Sequence, residues 1–230
     1  MKWTAAAMPQ LASSASHSNG RRYPADGYQM GPFHRPADHL PIITPNPRAM
    51  FRDPITHRIV HWQYTHTLNP AAIAWNDKLY VLFRAEDNSG KGIGQYCSRV
   101  GLAVSDDGKT FSQLPHPVLF PKPGPWEKYE WPGGCEDPRV VRRNDGVFVI
   151  TFTMWNHRLA RLGVATSKDL IHWTHHGPAF RAADHGQFVN LWSKSGAIIT
   201  RRKGNHVVAA KIHGHHWMHW HTSGQVYLAR

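Results

Sequence analysis

The feature that most restricts the fold is a repeat inside the chain. Gly101-Leu102-Ala103-Val104-Ser105 is echoed by Gly163-Val164-Ala165-Thr166-Ser167. Each copy is followed by an Asp and then an aromatic, Asp107 with Phe111 in the first and Asp169 with Trp173 in the second. Ala103 and Ala165 are 62 residues apart, and Ala229, in Val226-Tyr227-Leu228-Ala229-Arg230, lies another 64 on. A second thread keeps step. Asn69-Pro70-Ala71 begins 11 residues before Tyr80, and Asp137-Pro138-Arg139 begins 11 before Phe148. Lys194-Ser195-Gly196-Ala197-Ile198 opens a third unit, whose next strand, His216–Trp220, is delayed by an inserted Arg201–His213 segment. Between these landmarks short apolar runs alternate with turn signals such as Asn76-Asp77 and Asp87-Asn88-Ser89-Gly90, the pattern of many short strands. No helical periodicity appears after residue 60.

A period of roughly 60–70 residues carrying about four strands describes an all-β chain of β-propeller blades. Ser105-Asp106-Asp107-Gly108-Lys109-Thr110-Phe111 resembles an Asp-box hairpin, in which Asp and Gly make the turn and the aromatic packs between blades. A propeller closes with four blades or more. Residues 69–230 supply only about two and a half repeats. The sequence therefore reads as C-terminally truncated, with two and a half to three blades present. Such an open partial propeller would leave strand edges and an apolar blade face uncovered. Residues 1–38 are rich in Pro, Ser, Ala and Gly and read as a disordered or loosely attached extension. Residues 39–230 then form the partial propeller, with His39–Pro54 as an irregular arm against it.

Composition excludes more than it selects. The formal charge is +12, which would suit an anionic partner. Lys and Arg are scattered, however, and no basic helix or finger motif is present, so neither nucleic acid nor membrane is expected as a partner. No apolar run reaches the ~18 residues of a transmembrane helix. The N-terminal Thr4–Met8 stretch is short for a signal peptide, and a cytoplasmic location is expected. Cys97 and Cys135 are expected as free thiols. Five histidines between His213 and His221 form a dense cluster. If one strand held them, His215, His219 and His221 would share a face. With no carboxylate or Cys at ligand spacing, they read as packing or sugar-contacting residues, and no metal is expected. Trp126, Trp131 and Trp155 could stack on a sugar, although packing between blades is the expected role of Trp155.

Chemistry concentrates in Trp131-Pro132-Gly133-Gly134-Cys135-Glu136-Asp137-Pro138-Arg139-Val140-Val141. Two adjacent carboxylates and an arginine stand between a Pro-Gly-Gly turn and the start of a strand. Pro138 fixes its own φ and favours an extended Asp137. A charged cluster on a constrained backbone suits a site. A solvated turn with a local salt bridge would read the same way. In each repeat the innermost strand starts at the same point, so Asn69, Asp137 and Ser195 should converge on the central channel. In an extended segment Glu136 and Asp137 point to opposite faces, so they are not expected to form an acid–base pair.

These residues carry a family resemblance. Asn69-Pro70-Ala71, Leu82-Phe83-Arg84-Ala85-Glu86-Asp87, Ser98–Ala103, Gly134-Cys135-Glu136-Asp137-Pro138-Arg139, Trp173 with Gly177-Pro178, and Lys194–Ile198 resemble glycoside hydrolase family 130. The likeness runs from about residue 40 to the C-terminus. It implies a five-bladed β-propeller enzyme acting on β-mannoside oligosaccharides with inversion at the anomeric carbon. Some members are hydrolases and others phosphorylases. It also implies that Asp137 is the catalytic acid, acting through a sugar hydroxyl. Asn69, Arg84 and Asp87 would surround the mannose, and Glu136 and Arg139 would flank the acid. Lys194 and Ser195 complete the expected substrate contacts. No cofactor is implied, with inorganic phosphate as co-substrate if the enzyme is a phosphorylase. Lys194, Arg201 and Lys211 are the candidate phosphate-holding cations. A homo-oligomer is left open. The sequence around Asn190–Ile198, Lys211–Gly214 and Trp217–Trp220 is more similar to the mannosidase branch, with β-1,2-linked mannosides as the expected substrate. There the Trp-Met-x-Trp strand is followed by Gly-Glu, whose Glu is a catalytic candidate. Here His221-Thr222 follow, which leaves the water-activating base unassigned. An inactive, sugar-binding remnant is the alternative.

Overall fold

Apolar runs punctuated by tight turns become strands throughout residues 41–230, the part of the chain that the computed structural model describes. The extension expected over 1–38 lies outside the described residues. Residues 42–230 form one unit. A short hairpin comes first, β1 (Met50–Arg52) against β2 (Ile59–His61). The expected irregular arm is thus partly a strand. Two antiparallel four-stranded meanders follow. The first is β3 (His66–Trp75), β4 (Lys78–Glu86), β5 (Ser98–Ser105) and β6 (Ser112–Gln113). After the one-turn helix α1 (Glu127–Glu130), the second is β7 (Gly134–Arg142), β8 (Phe148–Trp155), β9 (Ala160–Ser167) and β10 (Thr174–Pro178). A single helical turn carries too few residues to show periodicity, which is why the sequence reading missed α1.

The third unit begins with β11 (Lys194–Ile198). An inserted hairpin, β12 (Thr200–Lys203) with β13 (His206–Ala209), interrupts it before β14 (Met218–Thr222) and β15 (Gln225–Ala229). β11, β14 and β15 pair in that order. The chain therefore holds two complete blades and three strands of a third, in the order that the repeat predicts. β14 starts at Met218, so His215 and Trp217 precede the strand, and His219 and His221 alone share its face. Among the described residues no group of His, Cys, Asp or Glu is arranged to hold a metal ion. No helix among them is long and apolar enough to cross a membrane.

The second strand of each complete blade is buried on both faces, as a layer between neighbours must be. Val81 through Glu86 on β4 are all buried, as are Ile150 through Met154 on β8. The main core packs the first blade against the second, with Leu82, Val100, Leu102, Phe148, Ile150 and Trp173 among its members. Burying each such side chain contributes about 1.5–3 kcal/mol. The Asp-box turn read at 105–111 forms, and its counterpart in the second blade forms in the same way. Asp107 Oδ1 accepts from the Lys109 and Thr110 N–H groups at 2.8 Å, and Asp169 Oδ1 accepts from Ile171 and His172 at 2.9 and 2.8 Å. Phe111 packs on the Trp62–Phe83 cluster, between its own blade and the N-terminal hairpin and not between two blades as expected, whereas Trp173 joins the main core. Cys97 and Cys135 are buried free thiols. Burial pushes the Cys97 thiol up to about 12.

One parallel pairing, Ser98 with Gly134, joins the two blades. Gly134 has φ +103°, and a Cβ there would lie 2.0 Å from the Ser98 carbonyl oxygen. Gly134→Ala is therefore expected to cost about 3 kcal/mol, from overpacking and a backbone that L residues avoid. Gly92→Ala is the matched control, since nothing lies within 4 Å of its Cβ position. Urea denaturation midpoints of the two variants measure the difference.

Candidate active site

Three first strands carry the same irregularity. The ladder register breaks between Leu68 and Ala71 on β3, between Glu136 and Arg139 on β7, and between Lys194 and Ala197 on β11. At each break one non-glycine residue adopts positive φ: Asn69 at 44°, Asp137 at 51° and Ser195 at 55°. These are β-bulges, which re-aim side chains out of the strand alternation. Pro70 and Pro138 occupy broken positions, where a missing N–H costs no ladder bond.

The bulges overturn two expectations. Pro138 does not hold Asp137 extended; the bulge needs the left-handed region, which Asp and Asn tolerate best among residues with a side chain. Nor do Glu136 and Asp137 face opposite ways. Arg84 reaches both, with Nη2 2.9 Å from Glu136 Oε1 and Nη1 3.2 Å from Asp137 Oδ1. Lys194 Nζ lies 3.4 Å from Glu136 Oε2 and 3.9 Å from Asp137 Oδ2. Asn69 Nδ2 donates to Asp137 Oδ1 at 2.7 Å. Three strands from three blades thus meet at one carboxylate pair.

The floor of the cluster is β4. Arg84 also pairs with Glu86, and its Nε donates to Ser98 Oγ at 3.1 Å. His66 Nδ1 contacts Glu86 Oε2 at 2.7 Å. Glu86 was not among the sequence candidates, yet strand parity could have found it, since Arg84 and Glu86 are two apart and share a face. Asp87, which was a candidate, joins a different network. Its Oδ1 accepts from the Ser89 and Cys97 N–H groups at 3.0 and 3.1 Å. Its Oδ2 pairs with Arg99 at 2.9 Å, and Arg99 also pairs with Asp53 at 2.6 Å. That buried clamp ties the β1–β2 hairpin to the first blade.

Arg139 is exposed, with Nη1 donating to its neighbour's Pro138 carbonyl at 3.0 Å. It lines a hollow of about 220 Å³ with Ala71, Ala72, Val140, Ala197 and Ile198, where the first strands converge. Ser195 is exposed at its bulge. Arg201 and Lys211 are exposed and make none of the cluster's contacts, so of the three candidate cations Lys194 alone stands beside the carboxylates. Trp155 packs as expected: its Nε1 donates to the Gly94 carbonyl at 2.8 Å, and its ring meets Trp192 edge-on at 6.1 Å. Trp192, 40% exposed beside Lys194, is an aromatic surface that the sequence candidates did not include.

Electrostatics divides the two carboxyls. Burial would raise Asp137, but the Asn69 hydrogen bond and the Arg84 and Lys194 charges hold it below the usual carboxylate range. Burial pushes Glu136 up, and the Asp137 charge adds to that, against Arg84 and Lys194. Burial disfavours the Arg84 charge, but Glu136, Glu86 and Asp137 keep it firmly protonated. The cluster sets Glu86, Glu136 and Asp137 against Arg84 and Lys194, so one further proton neutralises it. The linkage signs are opposite for the pair. Asp137 contributes stability above its unfolded value of about 3.9, lost as pH falls. Glu136 contributes stability below about 4.3, lost as pH rises through its folded value. Glu136→Gln is therefore expected to gain stability relative to the unaltered chain on going from about pH 4 to about pH 7. Paired urea titrations at the two pH values measure this.

A family model described as beta-1,4-mannooligosaccharide phosphorylase, glycoside hydrolase family 130, matches residues 42–228. The chain belongs to glycoside hydrolase family 130. Solved structures agree with its fold. One, reported for family 130 glycoside hydrolases that target beta-1,2 mannosidic linkages in Candida mannan, is 44% identical with a TM-score of 0.81, covering 86% of this chain and 55% of that one. A glycosyl hydrolase from Bacteroides ovatus is also 44% identical with a TM-score of 0.81, covering 83% of this chain and 53% of that one. Among curated proteins, the 1,2-beta-oligomannan phosphorylase of Thermoanaerobacter sp. (strain X514) is 36% identical over 120 residues, 50% of this chain and 38% of that protein. The chain thus spans about half the length of the solved structures it matches, and the aligned part of the curated relative is smaller still. The expected five-bladed propeller family stands, with two blades and most of a third in this chain.

Proposed function

We propose that the chain carries the mannose-binding and acid half of an inverting β-mannosidase acting on β-1,2-linked mannosides. The observation that carries this reading is the convergence of three bulged strands on Asp137, with Asn69, Arg84 and Lys194 all within hydrogen-bonding or ion-pair reach of one carboxylate. Asp137 acts as the acid, passing a proton through a sugar hydroxyl to the departing oxygen. Glu136, pushed up by burial, and Asp137, held down by Asn69, Arg84 and Lys194, are neighbouring carboxyls with opposite proton affinities. A sugar ring over the open face strips water from Asp137, whose side chain is 16% exposed. That desolvation raises its proton affinity towards what an acid needs. Trp192 offers the ring an apolar surface, and Asn69 and Lys194 can turn from Asp137 to the sugar hydroxyls.

Hydrolysis is preferred over phosphorolysis for two reasons. The structure reported for β-1,2-directed hydrolases is 44% identical to this chain, against 36% over a shorter stretch for the curated phosphorylase. The cation beside the carboxylates, Lys194, is already committed to them, while Arg201 and Lys211 stand apart. β-1,2-Mannobiose incubated with and without inorganic phosphate tests the choice. Mannose released at equal rates in both is the expected result. Mannose 1-phosphate formed only with phosphate would overturn it in favour of the phosphorylase.

A further inference from the structure

A polar row crosses the first blade beneath Arg84. His66 on β3, Glu86 on β4 and Ser98 on β5 are direct cross-strand partners, so their side chains share one face. The row ends on Gly134, the first residue of the strand that bears Glu136 and Asp137. Glu86 and Ser98 are fully buried. Both Glu86 oxygens are taken. Oε1 accepts from Arg84 Nη2 and, at 3.4 Å, from Ser98 Oγ, while Oε2 faces His66 Nδ1 at 2.7 Å. With Glu86 as the acceptor, Nδ1 is the protonated ring nitrogen. Tyr96 meets the imidazole edge-on at 5.7 Å and seats it.

The second blade is the internal comparison. Counting from the bulges, its matching row is Gly134, Trp155 and Ala160, and Thr153 stands in the place of Arg84. That blade pairs its strands in the same order with no charge in the row. The fold therefore does not need the polar row, and replacing a buried ion pair by packed apolar residues is often neutral or stabilising. What the row supplies is direction. Arg84 donates from Nε to Ser98 Oγ at 3.1 Å and from Nη2 to Glu86, which fixes the plane of the guanidinium from one side. Its other side meets Glu136 at 2.9 Å and Asp137 at 3.2 Å. A guanidinium held by Glu136 and Asp137 alone would follow them whenever a ligand moved them.

We infer that Glu86 and His66 are positioning residues for the Asp137 site. Glu86 sets the orientation of Arg84, and His66, by donating to the far oxygen, stops Glu86 from turning away. Neither bonds to Asp137; Arg84 stands between and carries the effect. Misplacing a group at a reacting centre by about 1 Å costs on the order of 10²-fold in rate. Because Arg84 acts on the acid, the loss falls on kcat far more than on KM. The consequence for turnover rests on the function proposed above; the orientation of Arg84 does not.

The test has two readouts on the full chain. The first is the Arg84 guanidinium by nitrogen NMR, its Nε resonance assigned as the one that Arg84→Lys removes. Hindered rotation, seen as separate signals from the two Nη groups, is expected in the unaltered chain and in His66→Gln, whose amide can donate to Glu86. Free rotation is expected in His66→Leu, a change at a side chain 35% exposed that leaves the core intact. Glu86→Gln, which keeps the shape and removes the charge, should loosen Arg84 in the same way. The second readout is kcat and KM on β-1,2-mannobiose. His66→Leu should lower kcat by about tenfold to 10²-fold at near-constant KM, with His66→Gln restoring most of it. An Arg84 signal unchanged in folded His66→Leu and Glu86→Gln would overturn the proposal and leave the row as packing. Free rotation already present in the unaltered chain, or rotation freed with kcat unchanged, would overturn it as well. Absence of turnover in the unaltered chain would count against the proposed function alone, since the NMR readout needs no substrate.

Discussion

Asp137→Asn is expected to lower mannoside turnover by about 10²- to 10⁴-fold, the usual contribution of a positioned acid, while the fold survives. The backbone at Asp137 has φ 51°, where a β-branched or bulky residue would be strained. Asn tolerates this region nearly as Asp does, and the chain shows it directly: Asn69 takes φ 44° at the matching bulge of the preceding blade. The amide can still accept from Asn69 and Arg84 through its oxygen, so the geometry of the cluster is kept and the transferable proton is removed. Asp137→Ala would mix that loss with backbone strain of roughly 1–2 kcal/mol. Initial rates on β-1,2-mannobiose, with circular dichroism to check folding, separate the two effects. Full activity in a folded Asp137→Asn variant would remove Asp137 from the chemistry.

Arg84→Met should be the most destabilising single change in the site, by about 3–5 kcal/mol near neutral pH. Its guanidinium is 6% exposed and serves Glu86, Glu136 and Asp137 together. Without it, the buried Glu86 keeps His66 and Ser98 as partners and the buried Glu136 keeps Lys194. Glu136, already pushed up by burial against the pull of Arg84, is pushed up further when that charge is removed. The sign then follows. Groups with raised folded values contribute stability that is present below their unfolded values and is lost as pH rises. The deficit of Arg84→Met should therefore shrink on going from about pH 7 to about pH 4. Arg84→Lys supplies one charge without the fork that meets two carboxylates at once, and should fall between. Denaturation at several pH values measures both variants. A deficit independent of pH would mean that Arg84 acts through packing and not through charge.

The blade plan was legible in the sequence because it depends on spacing. Ala103, Ala165 and Ala229 mark the third strand of each unit, and the structure puts each on β5, β9 and β15. The Asp-box turns were legible because Asp107 and Asp169 bind their own local backbone, an interaction written within a few residues. The insertion after β11 was legible as an interruption of the period. What escaped was set by tertiary pairing. The sign of φ at Asp137 depends on the ladder with β8, where Glu136 opposes Thr153 and Arg139 opposes Thr151. Without that partner a Pro-flanked Asp reads as extended, and the inference that Glu136 and Asp137 diverge follows wrongly from it. Three similar Asn-Pro, Asp-Pro and Ser-Gly pairs at one repeat position were the available signal of a shared bulge. Asp87 stands outside the cluster for a related reason. It lies just beyond β4, where strand alternation no longer sets direction, and its oxygens turn to Arg99 and the Ser89 turn.

The central claim is that the three bulges form the mannoside-binding site, and equilibrium titration tests it without requiring turnover. β-1,2-Mannobiose is titrated by calorimetry into the chain, into Lys194→Ala and into Asn69→Ala, both of which alter partly exposed or exposed side chains. Loss of one hydrogen bond to a charged group weakens binding by about tenfold or more. Saturable binding to the unaltered chain, weakened by at least that factor in Lys194→Ala, is the predicted result. Equal affinity in all three folded proteins, or no binding to any, would contradict the claim and place mannoside recognition outside this cluster.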